Sequence, residues 1–288
     1  MKQTKPMPGI VLMLICAMLW SIAGLFIKAI PWHPLVIAGW RSLIASAIVL
    51  LYMRARKIKL RFTRASFICG VVISLTFIAF ITANKLTTAA NTIVLQFSSP
   101  IFIILISAVF YKQRFRSADY LVVGVTAIGI TLCFVNQMNA GNLAGNLIAL
   151  ASGVTFAGVF ISTSRTDEAQ RMTGILLGHL FTAAIGLPVT LFVSTPVSQA
   201  AVINIVILGV FQLGIPYVLY GLAVGRCAPL AACLIGVVEP LLNPVWVMLF
   251  NGEMPGALSI IGGIIVVGSV TLWSIWNARH VNAVSASG

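Results

Sequence analysis

The sequence predicts an all-α integral membrane protein with ten transmembrane helices, arranged as two inverted five-helix repeats with both termini in the cytoplasm. Three observations support this fold class. The 288-residue chain is 60% hydrophobic and only 8% charged, whereas soluble domains carry roughly 25% charged residues. Long apolar segments recur, and positive charge is concentrated in alternate connectors. Part of the second half of the chain also matches part of the first half. The composition excludes a soluble enzyme, a disordered chain and a nucleic-acid-binding domain.

Ten apolar segments are each long enough to cross a bilayer, which takes about 20 residues. The first follows Lys2 and Lys5 as a signal peptide would, but it is too long and lacks a small-residue cleavage site, so we interpret it as a retained helix. The connectors are too short to hold a separate soluble domain. The predicted segments are residues 9–30, 34–53, 66–84, 87–111, 118–136, 143–163, 172–194, 200–222, 229–251 and 257–277.

Positive charge determines the predicted orientation. Fifteen of the 18 Lys and Arg residues lie in the two tails and in the connectors that follow the second, fourth, sixth and eighth segments. Because Lys and Arg remain on the cytoplasmic side, we expect both termini to lie inside, in the cytoplasmic (inner) membrane of a bacterium. The other three are Lys28 and Lys85, expected to extend to the outer surface, and Arg41 within the second segment.

An internal repeat divides the chain. Residues 83–115 and 223–255 align at an offset of 140, which pairs Pro100 with Pro240. We predict two repeats, 1–141 and 142–288, of five helices each. Five is odd, so the second repeat enters the membrane from the opposite face. Inverted repeats around a midplane site are typical of secondary transporters that work by alternating access.

The blocks SSP…VFYKQRF and EPLLNPVWVMLFNGEMP resemble the two EamA repeats of the drug/metabolite transporter superfamily. In that family, a helix with a (Glu/Ser)-Pro step ends in a Gly-Glu-Arg-like turn before a Gly-rich last helix. Glu239-Pro240 and Gly252-Glu253 fit this pattern, whereas Lys112-Gln113-Arg114 departs from it. The resemblance covers nearly the whole chain. It implies export of amino acids or related metabolites, with the ten-helix aromatic amino acid exporters as one example.

Glu239 is the carboxylate placed deepest in a predicted span, about ten residues or roughly 15 Å into the ninth segment. Ionisable groups inside a membrane are candidates for function. Glu239 shares a helix face with Asn243 and Trp246, and the matching face of the fourth segment carries Gln96. Two interpretations remain open: a residue of the substrate or proton pathway, and a protonated structural group bonded to a neighbouring helix.

Aromatic residues recur at equivalent positions of the third and eighth segments. Phe77 and Phe80 align with Tyr217 and Tyr220, each pair spaced by three residues. These rings could form a slot for a flat or apolar substrate, with the tyrosine hydroxyls as polar contacts. Trp20, in the middle of the first segment, is a similar candidate. Packing within the bundle is the alternative interpretation for all five.

Arg41 and His179 occupy equivalent positions of the second and seventh segments. Arg41 stays protonated, so it needs a carboxylate, carbonyls, water or an anionic substrate group, unless it extends outward along the helix. His179 titrates near neutral pH in water. Glu239 and His179 are therefore the candidates for proton coupling, and a hydrogen-bonded packing role is the alternative for His179.

The predicted function is a secondary transporter that exports small metabolites, neutral or aromatic amino acids above all, by alternating access. The alternative is an antiporter or importer of anionic metabolites such as sugar phosphates or nucleotide sugars. Catalytic and metal-ligand patterns are absent from the sequence, so we expect no enzyme activity, cofactor or metal. The expected partners are a small-molecule substrate and membrane lipid, without nucleic acid. The predicted substrate-binding residues are Trp20, Arg41, Phe77, Gln96, Tyr217, Tyr220, Glu239, Asn243 and Trp246.

Overall fold

The helices follow the predicted segments in order along the chain. The computed structural model describes residues 7–135 and 143–252, together with 256–258, 260–265, 268–269, 272–273 and 276. The helices are α1 (Gly9–Trp20), α2 (Ala23–Ala29), α3 (Pro34–Ala55), α4 (Arg64–Leu86), α5 (Ala89–Gln96), α6 (Ser99–Tyr111), α7 (Ser117–Val135), α8 (Leu143–Ser164), α9 (Glu168–Gly186), α10 (Gln199–Ile207), α11 (Ile215–Val224), α12 (Pro229–Ile235) and α13 (Val238–Asn251). A 3₁₀ turn at Pro188–Leu191 follows α9, and a π-helix at Leu208–Gly214 joins α10 to α11.

These elements confirm the prediction of an all-α membrane protein. Within the described ranges there is no strand, and eight spans are long and apolar enough to cross a membrane. The apolar part of α7, Ser117–Gly129, is shorter, and helical residues recur in 257–276, where the tenth segment was predicted. Lys2, Lys5, Glu253 and Arg279, used in the sequence predictions, lie outside the described residues.

The connectors that carry positive charge meet at one end of the bundle. The Arg226 guanidinium, after the eighth segment, donates to a main-chain carbonyl at the amino end (2.5 Å). An ion pair of 2.7 Å joins Arg61 and Asp167, in the connectors that follow the second and sixth segments. The Arg165 guanidinium lies 3.5 Å from the centroid of the Tyr111 ring, which joins the fourth segment to the same end.

The remaining connectors meet at the opposite end. Lys28 Nζ donates to the carbonyl of Thr87 (2.8 Å), and Trp32 Nε1 donates to the carbonyl of Pro196 (2.8 Å). Thr87 Oγ1 donates to Asn146 Oδ1 (2.9 Å) and so holds the beginning of α8 at this end. The first repeat therefore begins at one end of the bundle and the second at the other, as the odd helix number predicts.

Three spans are divided near their middles. α5 ends before Phe97 and α12 ends before Gly236, at positions related by the repeat. The first segment, predicted as one helix over 9–30, is divided between α1 and α2 at Ser21 and Ile22. Its counterpart in the second repeat, α8, is continuous over 22 residues. The breaks in the fourth and ninth spans are therefore equivalent, whereas the break in the first span has no counterpart in the second repeat.

The seventh span begins earlier than the apolar run suggests. The Asp167 side chain accepts from the main-chain N–H of Gln170, whose side chain accepts in turn from Asp167, so helix α9 begins at Glu168. Arg171, assigned to a connector from its charge, therefore lies in the first turn of the helix and is buried. Its Nε donates to the carbonyl of Gly221 (2.6 Å), so it binds the eighth span to the seventh.

Candidate functional site

A narrow buried cavity of about 30 Å³ lies between the two repeats. Every side chain that lines it is at most 5% exposed, so the cavity is closed toward both ends of the bundle. A cavity of this size holds about one or two water molecules, whereas ligand sites occupy about 300–1,000 Å³, so a small-molecule substrate fits only when the walls move apart. The first repeat contributes Trp20, Arg41, Thr76, Phe77, Phe80 and Gln96, and the second contributes Phe156, Gln212, Leu213, Tyr217 and Glu239.

The three helix breaks converge on this cavity. Trp20 is the last residue of α1, Gln96 is the last residue of α5, and Glu239 lies in the first turn of α13. Each break interrupts the ladder of main-chain hydrogen bonds and leaves polar groups at a helix end. A half-helix that ends at the midplane brings such groups to a substrate site in transporters with inverted repeats. The breaks therefore place polar backbone and side chains at the same depth.

The π-helix supplies a polar residue of the site that the sequence prediction missed. Gln212 and Leu213 lie in this wide turn and line the cavity. Wide turns of this kind occur often at functional sites. Pro216 has no N–H to donate to the carbonyl four residues earlier, which is that of Gln212. This Pro-Gln spacing is the one local signal that could have indicated the wide turn.

The Arg41 side chain points into the bundle and not outward to the surface. It is 1% exposed, and its Nη1 donates to Gln212 Oε1 at 2.9 Å. The guanidinium carbon lies 5.6 Å from the centroid of the Phe77 ring, where the π face attracts a cation. Its Nε–H has no acceptor among the described residues. Arg41 is therefore a buried cation at the cavity wall with an uncharged partner.

The Glu239 carboxyl group also faces the cavity and is 4% exposed. Among the residues that the structure describes, no group donates a hydrogen bond to it and no cation pairs with it. Arg41 lines the same cavity without forming an ion pair with it. These contacts do not support the interpretation of Glu239 as a structural group bonded to a neighbouring helix.

Aromatic rings form most of the remaining wall. The ring centroids of Trp20 and Tyr217 are 5.3 Å apart, and those of Phe77 and Tyr217 are 4.9 Å apart in an edge-to-face arrangement. Phe156 of α8 packs edge-on against Trp20 at 5.8 Å. Sequence reasoning missed Phe156, because a phenylalanine within an apolar segment gives no local signal of its surroundings.

Three of the nine predicted substrate-binding residues lie behind the cavity wall. The Tyr220 hydroxyl pairs with Thr163 Oγ1 at 2.8 Å, away from the cavity. Asn243 Nδ2 donates to the carbonyl of Ser21 (2.8 Å), and Trp246 Nε1 donates to Ser21 Oγ (3.0 Å). These two side chains support the break between α1 and α2. The other six predicted residues line the cavity.

His179, a predicted proton-coupling residue, also lies behind the wall. It is fully buried and stacks on Phe77, with ring centroids 5.0 Å apart and an interplanar angle of 27°. Neither ring nitrogen has a hydrogen-bond partner among the described residues. Within the same part of the chain, no group of three or more His, Cys, Asp or Glu side chains is placed to hold a metal ion.

Two inverted sets of apolar helices around a closed central cavity define a membrane transport protein. The chain belongs to the EamA-like transporter family, which it matches over residues 7–135 and 143–275. It is 26% identical over 195 residues to the uncharacterized transporter YdfC of Bacillus subtilis, a match that spans 65% of this chain and 63% of that relative. A solved crystal structure has the same fold, with a TM-score of 0.71 and 18% identity over 94% of this chain and 98% of that one.

Proposed function

We propose that the protein exports neutral or aromatic amino acids across the cytoplasmic membrane by alternating access. One observation carries the proposal: a single closed cavity has aromatic walls from both repeats and contains one buried cation and one buried carboxyl group, Arg41 and Glu239. An amino acid presents a carboxylate, an ammonium group and a side chain, and the cavity offers a partner for each. The cytoplasmic end is the one where Arg61, Arg165 and Arg226 meet, following the rule that Lys and Arg remain inside.

The position of the cavity supports alternating access. Its wall is shared between the first four spans and the sixth, eighth and ninth, so rocking of one repeat against the other exposes it to either side. All lining residues are buried in the present conformation, which corresponds to a state closed at both ends. The breaks next to Trp20, Gln96 and Glu239 allow half-helices to move while the other halves stay packed.

The alternative cargo, an anionic metabolite such as a sugar phosphate or nucleotide sugar, fits this cavity less well. A phosphate carries up to two negative charges and is bound by clusters of cations or main-chain N–H groups. Arg41 is the one Lys or Arg among the residues that line the cavity, and Glu239 in the same wall repels an anion when ionised.

The test is efflux of radiolabelled L-phenylalanine from liposomes that contain the purified protein. We expect efflux that unlabelled neutral and aromatic amino acids inhibit and that glucose 6-phosphate leaves unchanged. Replacement of Phe77 by Ala removes part of the cavity wall and should reduce efflux, whereas Phe181→Leu alters a ring that packs on Phe67 away from the cavity and should not. Inhibition by the sugar phosphate alone would overturn the proposal.

A matched variant addresses coupling to protons. Glu239→Gln keeps the size of the side chain and removes its titration. If Glu239 carries the proton, efflux by this variant loses its dependence on a pH gradient. An unchanged dependence excludes Glu239 from coupling and leaves His179, which is buried against Phe77.

A further inference from the structure

The charge of Arg41 has no counterion among the residues that the structure describes. An arginine remains protonated in proteins, and this one is buried at 1% exposure. A buried charge is usually paired with an opposite charge, because desolvation is otherwise uncompensated. Among the described residues, the guanidinium donates a single hydrogen bond, which Gln212 Oε1, the oxygen of an uncharged amide, accepts. The described residues therefore leave the negative charge to be supplied by a ligand.

Two hydrogen-bond donors in the cavity wall lack an acceptor among the described residues. Arg41 Nε–H and Trp20 Nε1–H are buried, and neither has an acceptor within the described part of the chain. Both residues line the cavity. Buried donors in native proteins nearly always have a partner, so their presence in one wall indicates an acceptor that arrives with a ligand. A carboxylate has two oxygens and can accept from several donors at once.

Glu239 is the acceptor in the cavity wall that lacks a donor within the described part of the chain. Its carboxyl group faces the same cavity and has no donor among the described residues. An ionised carboxylate accepts hydrogen bonds and attracts a cation. The cavity therefore offers a site for an anion and a site for a cation, and the protein does not pair the two with each other.

We infer that the cavity recognises a zwitterion, whose carboxylate becomes the counterion of Arg41 beside Trp20 and whose ammonium group binds Glu239. Gln212 is a positioning residue: it holds the guanidinium through an amide oxygen without neutralising it. The inference rests on the proposed function, because it assigns the two charged ends of an amino acid to named residues. The apolar part of the substrate then packs on the aromatic rings of the wall.

A substitution at residue 212 tests this inference most directly. A glutamine can hold Arg41 by one hydrogen bond and leave its charge for the ligand. A glutamate of nearly the same size would form an ion pair with Arg41 and compete with the carboxylate of the substrate. Gln212→Glu thus separates the two explanations of the contact, packing of the second span on the eighth or preparation of an anion site.

The experiment measures binding of three ligands with the same ring to the purified protein in nanodiscs by titration calorimetry. The ligands are L-phenylalanine, 3-phenylpropionate, which lacks the ammonium group, and phenethylamine, which lacks the carboxylate. For the unaltered protein we expect L-phenylalanine to bind at least tenfold more tightly than either analogue. In Gln212→Glu, the affinity for the two carboxylate ligands, L-phenylalanine and 3-phenylpropionate, should fall at least tenfold, whereas the affinity for phenethylamine should stay the same or rise. Retained binding of phenethylamine also shows that the cavity is intact.

Two further variants keep the inference testable if Gln212→Glu does not fold. Arg41→Gln should lower the affinity for L-phenylalanine to that for phenethylamine. Gln199→Glu adds the same charge at the exposed beginning of α10 and should leave all three affinities unchanged. Equal binding of L-phenylalanine and phenethylamine by the unaltered protein, or unchanged carboxylate binding in Gln212→Glu, overturns the inference.

The outcome is distinguishable from failure of the proposed function. The binding experiment asks which charged groups the cavity holds, and the liposome experiment asks whether an amino acid crosses the membrane. Binding of L-phenylalanine that is lost in Gln212→Glu, without efflux from liposomes, rejects amino acid export and still supports the role of Arg41.

Discussion

Lys28 of α2 and Lys85 of α4 form a reciprocal pair of contacts. Each lysine donates a hydrogen bond to the main-chain carbonyl directly after the helix that carries the other lysine. Lys28 Nζ donates to the carbonyl of Thr87, directly after α4, and Lys85 Nζ donates to the carbonyl of Ile30, directly after α2. The carboxyl end of a helix favours a cation, because its last carbonyls lack intrahelical donors. The two lysines were expected to extend to the outer surface, and they connect α2 to α4 at the end where the less charged connectors meet.

Removal of both lysines should loosen this end of the bundle, which the proposed orientation places outside. We expect Lys28→Met combined with Lys85→Met to raise the labelling rate of a cysteine placed at Thr76, in the cavity wall, by about tenfold or more, since a hydrogen bond to a charged group contributes roughly 1.5–3 kcal/mol. The measurement uses a cysteine-free background and a membrane-impermeant maleimide added outside. Lys59→Met, in the connector that joins α3 to α4 at the other end, is the control. Equal labelling in both variants would show that the lysine contacts do not close the cavity.

The turn after α6 contains strain that the second repeat avoids. Lys112 has a left-handed φ of 51°, and Gly252, its counterpart after α13, has a φ of 69°. This conformation costs a residue with a side chain roughly 1–2 kcal/mol. Lys112→Gly should therefore raise the free energy of unfolding by about 1 kcal/mol, which a thermal unfolding curve in detergent detects.

The converse substitution, of glycine by a residue with a side chain, tests whether the left-handed conformation causes the strain. In Gly252→Ala, no atom of the described residues lies within 4 Å of the added carbon, so backbone strain alone should lower the stability by a similar amount. Gln113→Gly, one residue further along the first turn, should not stabilise the protein. If it stabilises as much as Lys112→Gly, the left-handed conformation is not the cause.

A substitution at Asn243 tests whether this residue supports the helix break or binds substrate. Asn243→Leu removes the donor to the carbonyl of Ser21, so we expect the free energy of unfolding to fall by about 1–3 kcal/mol, the penalty for an unsatisfied buried group. The affinity of the folded protein for L-phenylalanine should change by less than about twofold, because Asn243 lies behind the cavity wall. A large loss of affinity at unchanged stability would restore the substrate-binding role predicted from the sequence.

Phe156 should limit the size of the substrate. Phe156→Leu enlarges the cavity next to Trp20, so it should favour L-tryptophan over L-phenylalanine relative to the unaltered protein. A change in free energy of about 1 kcal/mol, within the range for one methylene group in a pocket, corresponds to roughly fivefold in the ratio of the two transport rates. Competition between the two labelled amino acids in liposomes measures this ratio. A ratio equal to that of Phe181→Leu would place Phe156 outside the specificity site.

The spans and half of the site could be predicted because their signals are local. An apolar run identifies a span, and a buried Arg41 or Glu239 is conspicuous because charge in a membrane is rare. The break at Ser21 could not be predicted in this way, since its supporting side chains, Asn243 and Trp246, lie more than 220 residues later in the sequence. A break needs these partners to compensate its lost main-chain hydrogen bonds, and no local pattern identifies them.

The wide turn that carries Gln212 was missed for a related reason. Gly209 and Gly214, at its two ends, approach Ile44 and Ile48 of α3 so closely that an added side chain would meet them. The turn therefore depends on contact between the eighth span and the second, and not on the propensities of its own residues. Local sequence determines where a helix lies in the membrane, while distant contacts determine where its winding changes.

The first span is divided, whereas its counterpart α8 is continuous, so the two repeats differ in where they can bend. If two inverted repeats were identical, the form open to the inside and the form open to the outside would be related by symmetry and equal in energy. Here one repeat can bend at a position where the other remains a rigid rod. The two open forms then differ in energy, and a difference of about 1.4 kcal/mol already gives a tenfold excess of one over the other. Under the proposed alternating access, the architecture of the chain therefore favours one of the two open forms before any gradient acts on it.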